Sequence, residues 1–188
     1  MPFTPFHCGP AALVKAIVPA WFSLSLYSLV QILIDLESLY NLYYGITPIH
    51  AFFHTYLGAT IVAFVALIVG KPFIEFCFKS WNYVLCRTPK SRLYIPTKIT
   101  LRAAIIGCFT GAYSHVLLDS IMHVDMVPFA PLSNANSLLN VVSVLPLHII
   151  LFVTGVIGIL SLFQQVIIGR YQNVPNDNNG SLKSSFYE

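Results

Sequence analysis

The sequence predicts an all-α integral membrane protein, and three observations lead to this fold class. Only 9% of the 188 residues are Asp, Glu, Lys or Arg, whereas a soluble domain carries about 25%. Residues of the apolar set make up 56% of the chain. They gather into runs of about 20 residues, the length that a helix needs to cross a bilayer. An ordinary soluble domain and a disordered chain are excluded, and the net charge of +3 does not indicate a nucleic-acid partner.

The first apolar stretch, residues 9–36, predicts a kinked or re-entrant N-terminal segment, because Pro19 interrupts it. One interpretation is a single kinked spanning helix. The other is a hairpin of a short helix (9–18) and a longer helix (20–38). We favour the hairpin because it returns Asp35 to the side of His7, whereas one straight helix would separate the two by about 40 Å. Pro19 would then mark the turn.

Three further spans are predicted at residues 51–70, 103–122 and 141–168, which gives one helical membrane domain over residues 1–170. Residues 171–188 form a polar tail that is predicted to be disordered. The connecting loop 71–102 holds seven of the ten basic residues. By the positive-inside rule this loop is cytoplasmic, in a multi-pass protein of the cytoplasmic membrane. We expect the loop to set the topology and to contact anionic lipid headgroups.

Ionisable residues are expensive in lipid and are usually functional there, and here they collect at the ends of the apolar segments. In the predicted topology these ends lie on the extracytoplasmic side. The candidate metal ligands are His7, Asp35, His50, His54, His115, Asp119, His123 and Asp125. Helical spacing of four residues would place His50 with His54, and His115 with Asp119 and His123, on common faces.

Imidazole and carboxylate groups that converge from several helices are the ligands that zinc prefers. The alternative is a set of interfacial residues that only pair with one another in a packed bundle. His148 lies deeper in the last span, and for this residue alone the simpler interpretation is a hydrogen-bonded helix residue. The four cysteines form no CxxC pair and are interpreted as structural.

A carboxylate shared between metal ions suits hydrolysis, because such ions acidify water until it becomes a nucleophile. The candidate catalytic residues are Asp35, Glu37 and Asp119, with Asp35 or Glu37 as the bridging carboxylate or the base. A site at headgroup depth would meet the phosphodiesters of lipids, so the expected function is zinc-dependent hydrolysis of a phosphoester such as a phospholipid. A transported metal and a purely structural metal are the alternatives.

Four motifs occur in order: MPFTPFH, QILIDLE, HAFFHTYLGA and HVLLDSIMHVDMVPFAP. Over about residues 1–170 the chain resembles a family of small bacterial and archaeal integral membrane proteins, related to the membrane-bound metal-dependent hydrolases. It is more distantly similar to the zinc-dependent phospholipase C and S1/P1 nuclease fold, which is all-helical and binds three zinc ions.

The second resemblance implies ligand roles for residues of this chain. His7 resembles the early histidine and Asp35 the bridging aspartate of that fold. His50 or His54 resembles the next histidine, while the HxxxD…H run is matched by His115, Asp119 and His123. The later histidine–acid pair has no counterpart, because Val144 and Phe152 flank His148 at helical spacing. The resemblance therefore implies two zinc ions, and a third only if the amine of a trimmed Pro2 reaches the site.

Overall fold

The computed structural model describes residues 6–86 and 93–168, and within these ranges the chain is helical with no strand. The helices are α1 (Cys8–Ile17), α2 (Leu24–Tyr44), α3 (Tyr56–Val65), α4 (Lys71–Leu85), α5 (Leu101–Met122) and α6 (Val144–Ile168). A π-helical turn, Ala66–Gly70, joins α3 to α4 in one continuous helix. The predicted tail, the amine of Pro2 and the basic residues Arg87, Lys90, Arg92 and Arg170 lie outside the described residues.

Three helices are long and apolar enough to cross a membrane: Tyr56–Leu85, Leu101–Met122 and Val144–Ile167. Their most apolar windows are only 28%, 44% and 22% buried. Most of their side chains therefore face outward, as an apolar solvent allows and water does not. For the described residues, the prediction of an all-helical chain with three helices that could span a membrane is confirmed.

The predicted connecting loop 71–102 differs from the structure, because its first half is the helix α4. Lys71 and Glu75 lie one helical turn apart and pair at 2.8 Å. The same Glu75 oxygen accepts a hydrogen bond from the amide of Ile99. The side-chain amide of Asn82 bonds both the amide and the carbonyl of Ile95. Charged and polar residues are thus satisfied on one helix face, so they do not end the helix.

The N-terminal apolar stretch is interrupted between Ile17 and Leu24. The ammonium of Lys15 donates to the carbonyls of Pro19 and Phe22, at 2.6 and 2.9 Å. The hydroxyl of Ser23 then caps α2. This helix begins later and ends later than the predicted helix 20–38. It stops at Gly45, whose φ of +66° is left-handed and favours glycine.

The helices α2 and α5 run parallel and touch through their backbones. A Cβ atom at Gly107 would lie 2.5 Å from the carbonyl oxygen of Ser23, and one at Gly111 would lie 3.0 Å from that of Tyr27. Glycines four residues apart allow such close helix contacts in membranes. From the first of these contacts to the second, both helices advance by four residues, which is about one helical turn. One turn further, Gln31 of α2 contacts Gly111 and His115 of α5, and after another turn Asp35 also lies beside His115.

The short helix α1 packs mainly against α6, again through small residues. A Cβ atom added at Gly9 would lie 2.1 Å from the carbonyl oxygen of Leu151. One added at Gly158 would lie 2.4 Å from the backbone nitrogen of Leu13 and 2.6 Å from the carbonyl carbon of Ala12. The amide of Gln165 donates to the carbonyl of Ala16 at 2.9 Å. The helix α6 therefore holds α1, and with it the residue that precedes α1, His7.

Substitution of Gly107 by Leu is expected to destabilise the protein by about 1–3 kcal/mol, because the new side chain cannot fit against the backbone of Ser23. Thermal unfolding in detergent, followed by the loss of helical circular dichroism, measures the effect. Thr110→Leu is the matched control, since Thr110 is exposed on the same helix. Equal stability of the two variants would contradict the α2–α5 contact.

Candidate metal centre

Four side chains from three parts of the chain converge at one end of the bundle. Asp35 comes from the middle of α2, His54 from the short 3-10 turn before α3, and His115 and Asp119 from the last two turns of α5. One ligand atom from each lies within 4.8 Å of all the others. We call these four residues the inner group.

The geometry of the inner group is that of ligands around a common point. Nε2 of His115 lies 3.1 Å from Oδ2 of Asp119 and 3.3 Å from Oδ1 of Asp35. Nε2 of His54 lies 3.7 Å from each of the same two oxygens. His54, His115 and Asp119 are buried, and Asp35 is largely so. Two nitrogens and two oxygens at these separations match a four-ligand zinc set in chemistry and number.

The other oxygen of Asp119 faces two further histidines. Its Oδ1 lies 3.5 Å from Nε2 of His7 and 3.9 Å from Nε2 of His123. The carboxylate of Asp119 therefore stands between two sets of imidazoles. The resemblance implied that Asp35 is the shared carboxylate, but in this geometry Asp119 is the one with both oxygens facing potential ligands.

A second group of three residues, His50, His123 and Asp125, lies beside the inner group, and we call it the outer group. The rings of His50 and His123 are stacked, with their centroids 4.1 Å apart. Oδ1 of Asp125 lies 2.8 Å from Nδ1 of His50. Its Oδ2 accepts the backbone amides of Ile49 and His50. Both oxygens contact His50 or its neighbour Ile49, so Asp125 holds His50 in place. The predicted role of Asp125 as a ligand stays a prediction, and its carboxylate belongs to a group that could hold an ion.

The predicted helical spacing of the histidines is not what brings them together. His50 precedes the 3-10 turn, and α3 begins only at Tyr56, because the hydroxyl of Thr55 caps the amide of Gly58. His123 follows the end of α5 in an extended conformation. His50 and His54 are nevertheless neighbours, with ring centroids 4.9 Å apart. Of the predicted pairs, only His115 and Asp119 share a helix face.

Two other residues singled out from the sequence lie outside both groups. The carboxylate of Glu37 accepts the amide of Phe53 at 2.7 Å and lies 3.4 Å from Nδ1 of His54, on the side away from the inner group. The carboxylate is thus engaged by Phe53 and His54, and its predicted bridging or catalytic role stays a prediction. His148 donates from Nδ1 to the carbonyl of Val144 in its own helix, as the simpler interpretation expected.

Three residues that sequence reasoning overlooked support the site. Gln31 is fully buried, and its side-chain carbonyl faces Nδ1 of His115. The hydroxyl of Tyr27 donates to the backbone carbonyl of His7 at 2.9 Å. The hydroxyl of Ser38 lies 3.2 Å from Nε2 of His54. For Tyr27 and Gln31 the available signal was a polar row at four-residue spacing, Ser23, Tyr27, Gln31 and Asp35.

Burial sets the protonation of the histidines that lie outside the long helices. It lowers the pKa of His7 to about 4, although the nearby Asp119 carboxylate works in the opposite direction. Burial also lowers the pKa of His123. Both rings are therefore neutral near pH 7, which leaves a nitrogen lone pair for a metal.

His54 and Asp125 behave differently, because charged partners outweigh burial. Burial disfavours the charged form of His54, but hydrogen bonds to Asp35 and Glu37 raise its pKa above the usual value. Burial also opposes the charge on Asp125, yet the amide and ring of His50 lower the pKa of this carboxyl. A metal ion at the inner group would therefore have to displace a proton from His54.

The donor set of the inner group fits a divalent cation, and two buried atoms beside it lack a partner. Among the described residues, Nδ1 of His7 and Oδ2 of Asp35 are buried without a hydrogen-bond partner. An unsatisfied buried polar group costs about 1–3 kcal/mol. Two carboxylates packed together in apolar surroundings also need a compensating positive charge, which either a protonated His54 or a bound cation supplies. A cation held by the inner group would supply that charge.

We expect the purified protein to bind about two zinc ions, one at each oxygen of Asp119. Asp119→Asn should lose both ions, because its Oδ2 faces His54 and His115 while its Oδ1 faces His7 and His123. His54→Ala should lose only the ion of the inner group. Metal analysis by mass spectrometry after gel filtration measures the content. His148→Ala is the matched control and should keep the wild-type content. An Asp119→Asn protein with full zinc content would contradict this arrangement.

Comparison of the chain with protein families, with curated proteins and with solved structures gave no match. The resemblance in the four sequence motifs therefore stays an expectation. The described residues themselves establish an all-helical arrangement with three potential spans and two groups of histidine and carboxylate side chains that could hold a metal ion.

Proposed function

We propose that the chain is a membrane-embedded, zinc-dependent hydrolase of a phosphoester, with a phospholipid or a lipid-linked phosphate as substrate. The observation that carries the proposal is the carboxylate of Asp119, which stands between two sets of imidazoles at the end of apolar helices. A shared carboxylate between two cation sites is suited to displacement at phosphorus, because two cations can then stabilise the attacking and the leaving oxygens.

The residues of the inner group would hold one ion, and Asp119, His7 and His123 would hold another. When bound, such ions supply positive charge for the phosphoryl oxygens and lower the pKa of water. The chain itself contributes a proton acceptor. Oδ2 of Asp35 has no hydrogen-bond partner among the described residues, whereas Glu37 is engaged by the amide of Phe53. Asp35 is therefore the preferred base.

The location of the two groups supports a lipid substrate. They lie where α3 begins, where α5 ends and where α6 begins, so they belong to one end of the three potential spans. Beyond Asp35, α2 continues into the exposed residues Tyr40, Tyr43 and Tyr44. Tyrosine is enriched at the headgroup level of membranes. A site at this depth meets the phosphate of a lipid without extracting the lipid from the bilayer.

We also propose that the site faces the extracytoplasmic side of the cytoplasmic membrane. Most of the described basic residues lie toward the opposite end: Lys79, Lys98 and Arg102 along the chain there, and Lys15 at the turn before α2, whereas Lys71 lies halfway along Tyr56–Leu85. The positive-inside rule assigns that end to the cytoplasm. In this arrangement α1 and α2 form the re-entrant hairpin. The guanidinium of Arg102 lies 3.3 Å from the ring centroid of Trp21, which supports a turn near the start of α5.

Hydrolysis is tested with the zinc-loaded protein in liposomes of phosphatidylcholine and phosphatidylglycerol, and with a soluble phosphodiester in detergent. We expect turnover that a chelator abolishes and zinc restores. Asp35→Asn should lower the rate by about 10²–10⁴-fold, as loss of a general base does, while the amide oxygen at position 35 can keep the metal contact of Oδ1, so that zinc is retained. His148→Ala is the control and should keep the wild-type rate. Bound zinc without turnover of any ester would instead favour a structural or transported metal.

Topology is tested by cysteine accessibility in a background without the native cysteines. Single cysteines replace Tyr43, Leu132, Trp21 and Tyr83, which are 79%, 93%, 51% and 89% exposed. A membrane-impermeant reagent should label positions 43 and 132 from the extracytoplasmic side, and positions 21 and 83 only after the membrane is opened. Labelling of position 21 together with position 43 would contradict the hairpin, and labelling of position 83 from outside would reverse the orientation.

A further inference from the structure

We propose that Gln31 is a positioning residue that fixes which nitrogen of His115 is presented to the metal. This inference rests on the proposed metal-dependent function and adds a residue outside both ligand groups. Gln31 lies on α2, one turn before Asp35, and is fully buried. Its side chain crosses to α5, where it contacts His115 and the turn that precedes it.

The orientation of the Gln31 amide follows from its neighbours. Its nitrogen lies 3.0 Å from the backbone carbonyl of Gly111 and 3.4 Å from the hydroxyl of Ser114, and both of these oxygens can accept. A rotated amide would set its oxygen against the carbonyl of Gly111, which has no proton to give. The amide nitrogen therefore faces Gly111, and the amide oxygen faces Nδ1 of His115.

An oxygen acceptor at this position requires a proton on Nδ1 of His115. In the neutral ring the other nitrogen, Nε2, then carries the lone pair. That lone pair points at Oδ1 of Asp35 and Oδ2 of Asp119, 3.3 and 3.1 Å away. Three electron-rich atoms at this separation repel one another unless a second proton on the ring or a bound cation lies between them. Gln31 thus commits His115 to bind a metal through Nε2.

The same hydrogen-bond network reaches the other side of the site. Ser114 lies 2.8 Å from the hydroxyl of Tyr27, which donates to the backbone carbonyl of His7. The close approach of Gly111 to the backbone of Tyr27 allows the side chains of Tyr27 and Ser114 to meet between α2 and α5. Gln31 is therefore held from both helices, and the orientation of His115 is tied to the position of His7.

The test compares zinc affinity in Gln31→Met and Gln31→Glu with that of the wild type, by competition with a chelator in detergent. Loss of an outer hydrogen-bond partner of a ligating histidine lowers metal affinity by about 10–100-fold. We expect a loss of that size in Gln31→Met. Gln31→Glu retains an acceptor for Nδ1 and should recover most of the affinity. Gln165→Met is the matched control, since Gln165 bonds only the backbone of α1 among the described residues.

Two spectroscopic measurements separate positioning from a general effect on stability. The visible spectrum of the cobalt-substituted protein should change in Gln31→Met and stay unchanged in Gln165→Met. In the wild type, ¹⁵N resonances should show His115 with its proton on Nδ1, both without metal and with zinc. Because the metal-free spectrum needs no variant, it tests the proposal even if Gln31→Met does not fold.

The outcomes also distinguish this inference from the proposed function. A wild-type protein that binds zinc through Nδ1 of His115 would overturn the role of Gln31 and leave the metal site standing. Unchanged zinc affinity and cobalt spectrum in Gln31→Met would do the same. A wild-type protein that binds no zinc or cobalt would overturn the proposed function, whatever the proton position on His115.

Discussion

The close parallel contact between α2 and α5 is the constraint on which the rest of the structure depends. Gly107 and Gly111 allow the α5 backbone to approach Ser23 and Tyr27 of α2. Because both helices repeat at nearly four residues, the register set there continues along the pair. This register places Gln31 against His115, and Asp35 near Asp119. The candidate metal centre is thus the far end of a helix contact that begins with two glycines.

The apolar surroundings explain why so many hydrogen bonds are made at this end of the α2–α5 contact. Each charged group in an apolar medium must be paired, solvated or bound to a cation. Asp125 is satisfied by His50 and two amides, and Glu37 by the amide of Phe53 and by His54. These acids hold imidazoles in place. Among the described residues, one oxygen of the Asp35 carboxylate is buried without a hydrogen-bond partner, so its charge is less compensated than that of Asp125 or Glu37.

Sequence reasoning predicted the helical class, the three long spans and most of the residues that meet at one end of the bundle, and it did so from composition and charge placement. It failed where local geometry decides. The helix continues through Lys71 because the Lys71–Glu75 pair and the amide of Ile99 satisfy the charges. His50 and His54 meet across a 3-10 turn, since Thr55 delays the start of α3. Such caps and pairings depend on contacts that no periodicity reveals.

By itself, the sequence determined that the chain belongs in an apolar solvent and that its histidines and acids are segregated, because both follow from which residues are present and in what order. Only the tertiary structure decided which atoms face one another. Asp119 faces imidazoles with both of its oxygens, Asp125 and Glu37 each contact one histidine ring, and the side-chain oxygen of Gln31 faces Nδ1 of His115. The physical reason is that a ligand and its supporting partner can be the same residue type. They differ only in which atom faces which neighbour, and that is set by helix packing.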